Sequence, residues 1–105
     1  MSQLKIDEYS VQAIGAIPSA ATVDLENATG DLIDISGTTT ITTLVLFGGH
    51  ERTVRFTGAL TLTHSSTLVL PGGVNITTVA GDFAVFRGYT DGKVRCTNYQ
   101  RNTAP

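Results

Sequence analysis

The stretch from Arg52 to Phe86 confines this chain to a narrow set of folds. Its apolar residues come in short runs that alternate with polar ones. Val54 and Phe56 stand among Thr53, Arg55 and Thr57, and Leu60 and Leu62 among Thr61 and Thr63. Leu68 and Leu70 flank Val69; Val74, Ile76 and Val79 follow, then Phe83, Val85 and Phe86. A period of two in short runs rich in Thr, Val, Ile, Leu and Phe marks strands, whose successive side chains point to opposite faces. Gly58, His64-Ser65-Ser66, Pro71-Gly72-Gly73 and Gly81-Asp82 separate the runs. A sharp turn every ~8–12 residues is the spacing of a sandwich, a barrel or a β-solenoid. Val54, Phe56, Leu60, Leu62, Leu68, Leu70, Ile76, Phe83 and Val85 are the expected packing residues, inside one chain or between chains.

The flanking segments extend this rhythm. Strands are expected over 21–25 around Val23 and Leu25, over 31–36 around Leu32, Ile33 and Ile35, and over 39–46 around Ile41, Leu44 and Leu46. Turns fall at 26–30 and at Gly48-Gly49, and Asp91-Gly92 is a hairpin signal before a last strand over 93–99. The strand-and-turn spacing is repeat-like, without an exact repeat. No helix longer than one turn is expected after residue 20. The expected class is therefore all-β, with short antiparallel strands in a compact body over residues 21–105.

Residues 1–20 differ in kind. Lys5, Asp7, Glu8 and Tyr9 precede a mild apolar run of Val11, Ala13, Ile14, Ala16 and Ile17, which Gly15 and Pro18 interrupt. Two readings are open. The segment is an attachment arm that orders on a neighbour, with Leu4, Ile6 and Tyr9 as its apolar anchors, or it is an N-terminal strand of the body.

Little in the chain points to catalysis. The 105 residues fit one domain, and a net charge of −2 lacks the basic excess of a nucleic-acid binder. No apolar run is long enough to span a bilayer, and the N-terminus lacks the order of a signal peptide, so synthesis in a cytoplasm is expected. The one cysteine, Cys96, excludes an intrachain disulfide and reads as a small core or interface residue. His50 and His64 stand fourteen positions apart beside turns, without the close-spaced partners that a metal site gathers. Asp24, Glu26, Asp31 and Asp34 alternate with core positions or sit in a turn, the pattern of solvated strand faces rather than of a catalytic acid pair or a calcium loop. Pro71-Gly72-Gly73-Val74-Asn75 has part of a cupin motif but none of its metal histidines. No catalytic, cofactor-binding or metal residue is assigned.

The run from Gly37 to Phe86, closing with Arg95-Cys96 to Tyr99, resembles a β-rich module of tailed-bacteriophage virion proteins. The matching features are Gly37-Thr38-Thr39-Thr40-Ile41, Phe56-Thr57-Gly58, Leu60-Thr61-Leu62-Thr63-His64, Leu70-Pro71-Gly72-Gly73, Asn75-Ile76-Thr77 and Gly81-Asp82. Together they cover roughly two thirds of the chain. Fibre, spike and capsid-surface proteins carry such modules. The resemblance implies a non-enzymatic structural role and a homotrimer, which sparse charge and small size also favour. The expected partners are further copies of the chain and a major capsid or other virion protein, with no nucleic acid and no membrane. A chain beginning at its own Met with about twenty extra residues suits a capsid decoration, or cement, protein on the head surface of a virion. The alternative is a short tail fibre or receptor-binding tip whose Tyr89-Thr90-Asp91-Gly92 turn meets a bacterial surface glycan.

Overall fold

In chain order the strands are β1 (Ile14–Pro18), β2 (Thr22–Asp24), β3 (Leu32–Ser36), β4 (Thr43–Val45) and β5 (Glu51–Phe56). They continue as β6 (Thr61–Leu62), β7 (Leu68–Val69), β8 (Ile76–Thr77), β9 (Phe83–Gly88) and β10 (Val94–Gln100). A computed structural model describes residues 14–28 and 32–102, and within them the only helical piece is a 3-10 turn at Pro71–Gly73. The all-β expectation holds, and the body is compact.

The larger sheet has the order β1-β3-β5-β9-β10-β7; β2 pairs with β4 and β6 with β8. The first half of the chain is parallel, which corrects the expected antiparallel arrangement there. Partners lie eighteen residues apart at the first step, Ile14 to Leu32. They lie twenty-one apart at the next, as in Leu32 to Thr53, Val23 to Leu44 and the bridge from Ile41 to Leu62. Antiparallel pairing does hold for β9 with β5 and β10, and for β6 with β8. The alternation in sequence could not separate the two cases, because side chains alternate in the same way in both ladders.

The core lies between two walls. Ile33, Ile35, Val54, Phe56, Ala84, Phe86, Leu68 and Val94 come from the six-stranded sheet. Val23, Leu25, Ile41, Leu44, Leu46, Leu60, Leu62 and Leu70 face them from the small sheets and their connections. Each fully buried Leu, Ile, Val or Phe contributes about 1.5–3 kcal/mol of apolar transfer. Corners of successive parallel passes stack closely. A Cβ on Gly58 would lie 2.7 Å from the carbonyl oxygen of Gly37, one twenty-one-residue step back, so the backbone itself fills that space. Arg52 ties down the end of β2, donating from Nε to Leu25 O (3.1 Å) and from Nη2 to Glu26 O (3.2 Å).

Residues 14–18 lie within the segment expected as an arm, yet they form β1 and pair with β3 along their whole length. Leu4, Ile6, Tyr9 and Asp31 lie outside the described residues. The remaining strands form where expected with shifted ends: β2 is shorter, while β9 runs on to Gly88 and β10 to Gln100. The long strand expected over 39–46 is reduced to β4, with Ile41 held separately by its bridge to Leu62.

Candidate self-association face

The outer side of the six-stranded sheet is where uncommitted apolar surface collects. Along β5 the residues alternate, Val54 and Phe56 inward, Glu51, Thr53 and Arg55 outward. Register then builds rows across the outer face. Leu32, Thr53, Val85 and Asn98 form one; Asp34, Arg55, Phe83 and Gln100 form the next. A bulge between Cys96 and Asn98 re-aims the end of β10 and brings Asn98 opposite Val85. The result is a hollow of about 230 Å³ lined by Thr53, Phe83, Ala84, Val85, Asn98 and Gln100.

The rim of this hollow is charged in matched pairs. Arg55 grips Asp34 through two bonds, Nε to Oδ1 at 2.9 Å and Nη2 to Oδ2 at 2.5 Å. Arg87 lies 3.8 Å from Glu51 on the row beyond. Hence the middle of the face is uncharged, and its ionic groups are neutralised within the chain. A second copy could cover this surface without burying an unpaired charge.

The expected packing residues divide between inside and outside. Val54, Phe56, Leu60, Leu62, Leu68 and Leu70 are buried in the protomer core, and Ile76 is half-buried against it. Phe83 is 37% exposed and Val85 half-buried, both on the outer face. The signal was the run Phe83-Ala84-Val85-Phe86, apolar on both faces of one strand where one buried face needs only every second residue. Thr53, Asn98 and Gln100 carried no such signal.

The polar residues singled out in the sequence go to local structure. Asp24 accepts from the backbone N–H of Asn27 (3.1 Å) and its side-chain amide (2.9 Å), which hold its carboxyl below the usual range. Glu26 accepts from the Phe47 N–H at 2.8 Å and lies 2.8 Å from Nδ1 of His50; these bonds lower its pKa. His64 Nδ1 accepts from the Leu70 N–H at 3.1 Å. Among the described residues no three of His, Cys, Asp and Glu gather as a metal site would require.

Sequence reasoning missed the most committed polar residue. Asp82 was read as a turn punctuator, but it is fully buried. It accepts from Tyr99 Oη (2.6 Å), Asn102 N (2.6 Å), Val79 N (2.9 Å) and Arg101 Nη1 (3.0 Å). Burial pushes the carboxyl up, but these donors outweigh it and leave its pKa below the ordinary value. Tyr99 is pushed well up, by burial and by this carboxylate. The cluster clasps the end of the chain to the turn before β9.

No family model, curated protein or solved structure matches the chain.

Proposed function

We propose that the chain is a structural protein of a tailed bacteriophage virion, a homotrimeric decoration protein of the capsid surface. Its body would be a short β-solenoid of stacked parallel passes, closed at one end by the antiparallel strands β9 and β10. The observation that carries the self-association is the outer sheet face. There Phe83 and Val85 flank an uncharged hollow whose neighbouring charges are already paired. The virion assignment is supported by the motif resemblance between Gly37 and Phe86. The work of such a protein is binding, without turnover, and the segment ahead of β1, with Leu4 and Ile6, would hold the shell.

Two measurements test this. Sedimentation equilibrium of the purified chain at micromolar concentration is expected to give three times the chain mass. Val85→Asp, which sets an unpaired carboxylate in the middle of the face, is expected to give a folded monomer. A wild-type monomer overturns the trimer. Electron microscopy of virions is expected to show copies over the icosahedral shell. Copies confined to the tail overturn the decoration role and favour a fibre tip.

A further inference from the structure

The parallel ladder of the second wall stops one strand early. Thr43 donates its N–H to Ala21 O at 3.0 Å, and Val45 O accepts from Leu25 N at 3.0 Å. Both therefore turn their backbone groups towards β2. By the alternation of a strand, Leu44 between them turns its N–H and C=O the other way. Among the described residues nothing pairs with β4 on that side. The ladder reaches its last parallel contacts at Ile41, which bridges Leu62 and accepts from Thr63 N at 3.0 Å.

One more twenty-one-residue step would set Ser65 beside Leu44. Instead Ser65 closes a tight turn. Its N–H donates to Leu68 O (2.9 Å), and its Oγ accepts from Thr67 N (3.2 Å) and Leu68 N (3.0 Å). The chain leaves the wall there, and the place of a third strand is left open as a groove of about 590 Å³. Along one side runs 43–48; along the other lie Tyr89, Thr90 and Gly92. Leu44 and Leu46 line it although their side chains are buried, so they present backbone. Phe47, 60% exposed, stands at its end. None of the lining residues is charged.

We infer that this groove accepts an extended strand from a second copy of the chain, and that the donor is the segment Tyr9 to Ala13. The inference rests on the self-association proposed above and adds a second contact to the packing of the outer sheet face. Tyr9-Ser10-Val11-Gln12-Ala13 is an uncharged run, as an uncharged groove requires. Tyr9, Val11 and Ala13 alternate with Ser10 and Gln12, so one face is apolar and one polar. Five extended residues span about 17 Å, and the lining stretch 43–48 is of similar length. The run leads directly into β1, which is the outermost strand of the large sheet. It thus starts at an edge of the body, where it can reach a neighbour. A strand seated there would complete the Leu44 hydrogen bonds, as added strands do at open sheet edges. Three such donations in a ring would close a trimer and leave Leu4 and Ile6 beyond the exchanged strand to meet the shell.

The test mixes two populations of the full chain, all carrying Cys96→Ala so that no other thiol competes. One carries Ser10→Cys or Val11→Cys as donor; the other carries Thr43→Cys at the groove. Ser36→Cys, exposed on β3 away from the groove, is the control acceptor. After mild oxidation, disulfide-linked pairs are expected from donor with Thr43→Cys at least tenfold above donor with Ser36→Cys. Equal yields, or none with Thr43→Cys, overturn the inference. A groove that is filled by a saccharide or by the donor's own chain gives the same negative result. Val11→Pro, which removes a ladder donor, is expected to weaken association about tenfold with an unchanged circular dichroism spectrum. Association at wild-type strength by this variant also overturns it. Sedimentation of the same samples separates the two readings: a trimer without the crosslink keeps the self-association and discards the exchanged strand.

Discussion

The parallel half of the molecule, residues 14–63, and the half from His64 to Asn102 hold their backbones in different ways. In the parallel half the paired strand residues pack on counterparts one step away. Ile33 lies beside Val54, Ile35 beside Phe56 and Val23 beside Leu44, and Asp34 beside Arg55 makes an ion pair of the same register. Such stacking fixes register by apolar burial alone, because a slip of one residue would turn every core side chain outward. In the second half β9 and β10 run antiparallel, β7 joins β10 in a short parallel pair, and the register breaks at the Cys96 bulge. There a buried carboxylate, Asp82, collects four donors and fixes the chain end by hydrogen bonds. Repetition lets stacking work with few specific side-chain contacts; where repetition ends, a satisfied polar network takes over.

The sharpest way to break this comparison is at the residue that belongs to both halves. Phe56 is fully buried on β5 and stacks on Tyr99 of β10, ring centres 6.4 Å apart. Phe56→Ala is expected to cost about 3–5 kcal/mol in urea unfolding and to unfold both halves in one transition. Two separate transitions would show that the halves are independent units.

Asp82→Asn comes next. It weakens or removes the acceptor for four donors, with an expected loss of about 1–3 kcal/mol. Amide exchange should quicken at 79–82 and 99–102 while β1, β3 and β5 keep their protection. Uniform acceleration would show that the clasp holds the whole body. The pH dependence follows from the lowered pKa of Asp82. Its contribution is fully present above the unfolded carboxylate value, ~4, and is lost as pH falls through the lower folded value. Wild-type stability should therefore fall in acid, and Asp82→Asn should flatten that slope. An unchanged slope would assign the acid sensitivity elsewhere.

Gly58→Ala probes the stacking. The added methyl meets backbone, the Gly37 carbonyl oxygen, and so must push the stacked corners apart, at an expected cost of about 1–3 kcal/mol. A neutral result would mean that the corners have slack. The smallest effect is expected from Arg55→Gln. Both partners of its ion pair are partly exposed, so the urea midpoint should barely move. The change would leave Asp34 unpaired beside the hollow, so self-association should weaken more than stability does.

The repeat behind the parallel half was only partly visible. Ile17-Pro18-Ser19, Ile35-Ser36-Gly37 and Phe56-Thr57-Gly58 are the three stacked corners, and Thr22-Val23-Asp24-Leu25 corresponds to Thr43-Leu44-Val45-Leu46. Aligning these by strand end and corner yields the steps that pairing confirms. Read residue by residue they look unrelated, because stacking asks only for an apolar residue followed by two small ones, not for identity. The eighteen-residue first step hides the period further.

By itself the sequence determined the strands, their turns and most of the core, since alternation and Gly-rich breaks are local properties that a few neighbouring residues express. Tertiary structure alone decided which strands are neighbours and in which direction. It also decided that Asp82 is buried, that Phe83 and Val85 share an outer face with Asn98 and Gln100, and that β4 has one edge unpaired among the described residues. The physical reason is common to all of these. A strand's faces are written in its own alternation, but its edges are satisfied by distant backbone, whose hydrogen-bonding groups are the same for nearly every residue type.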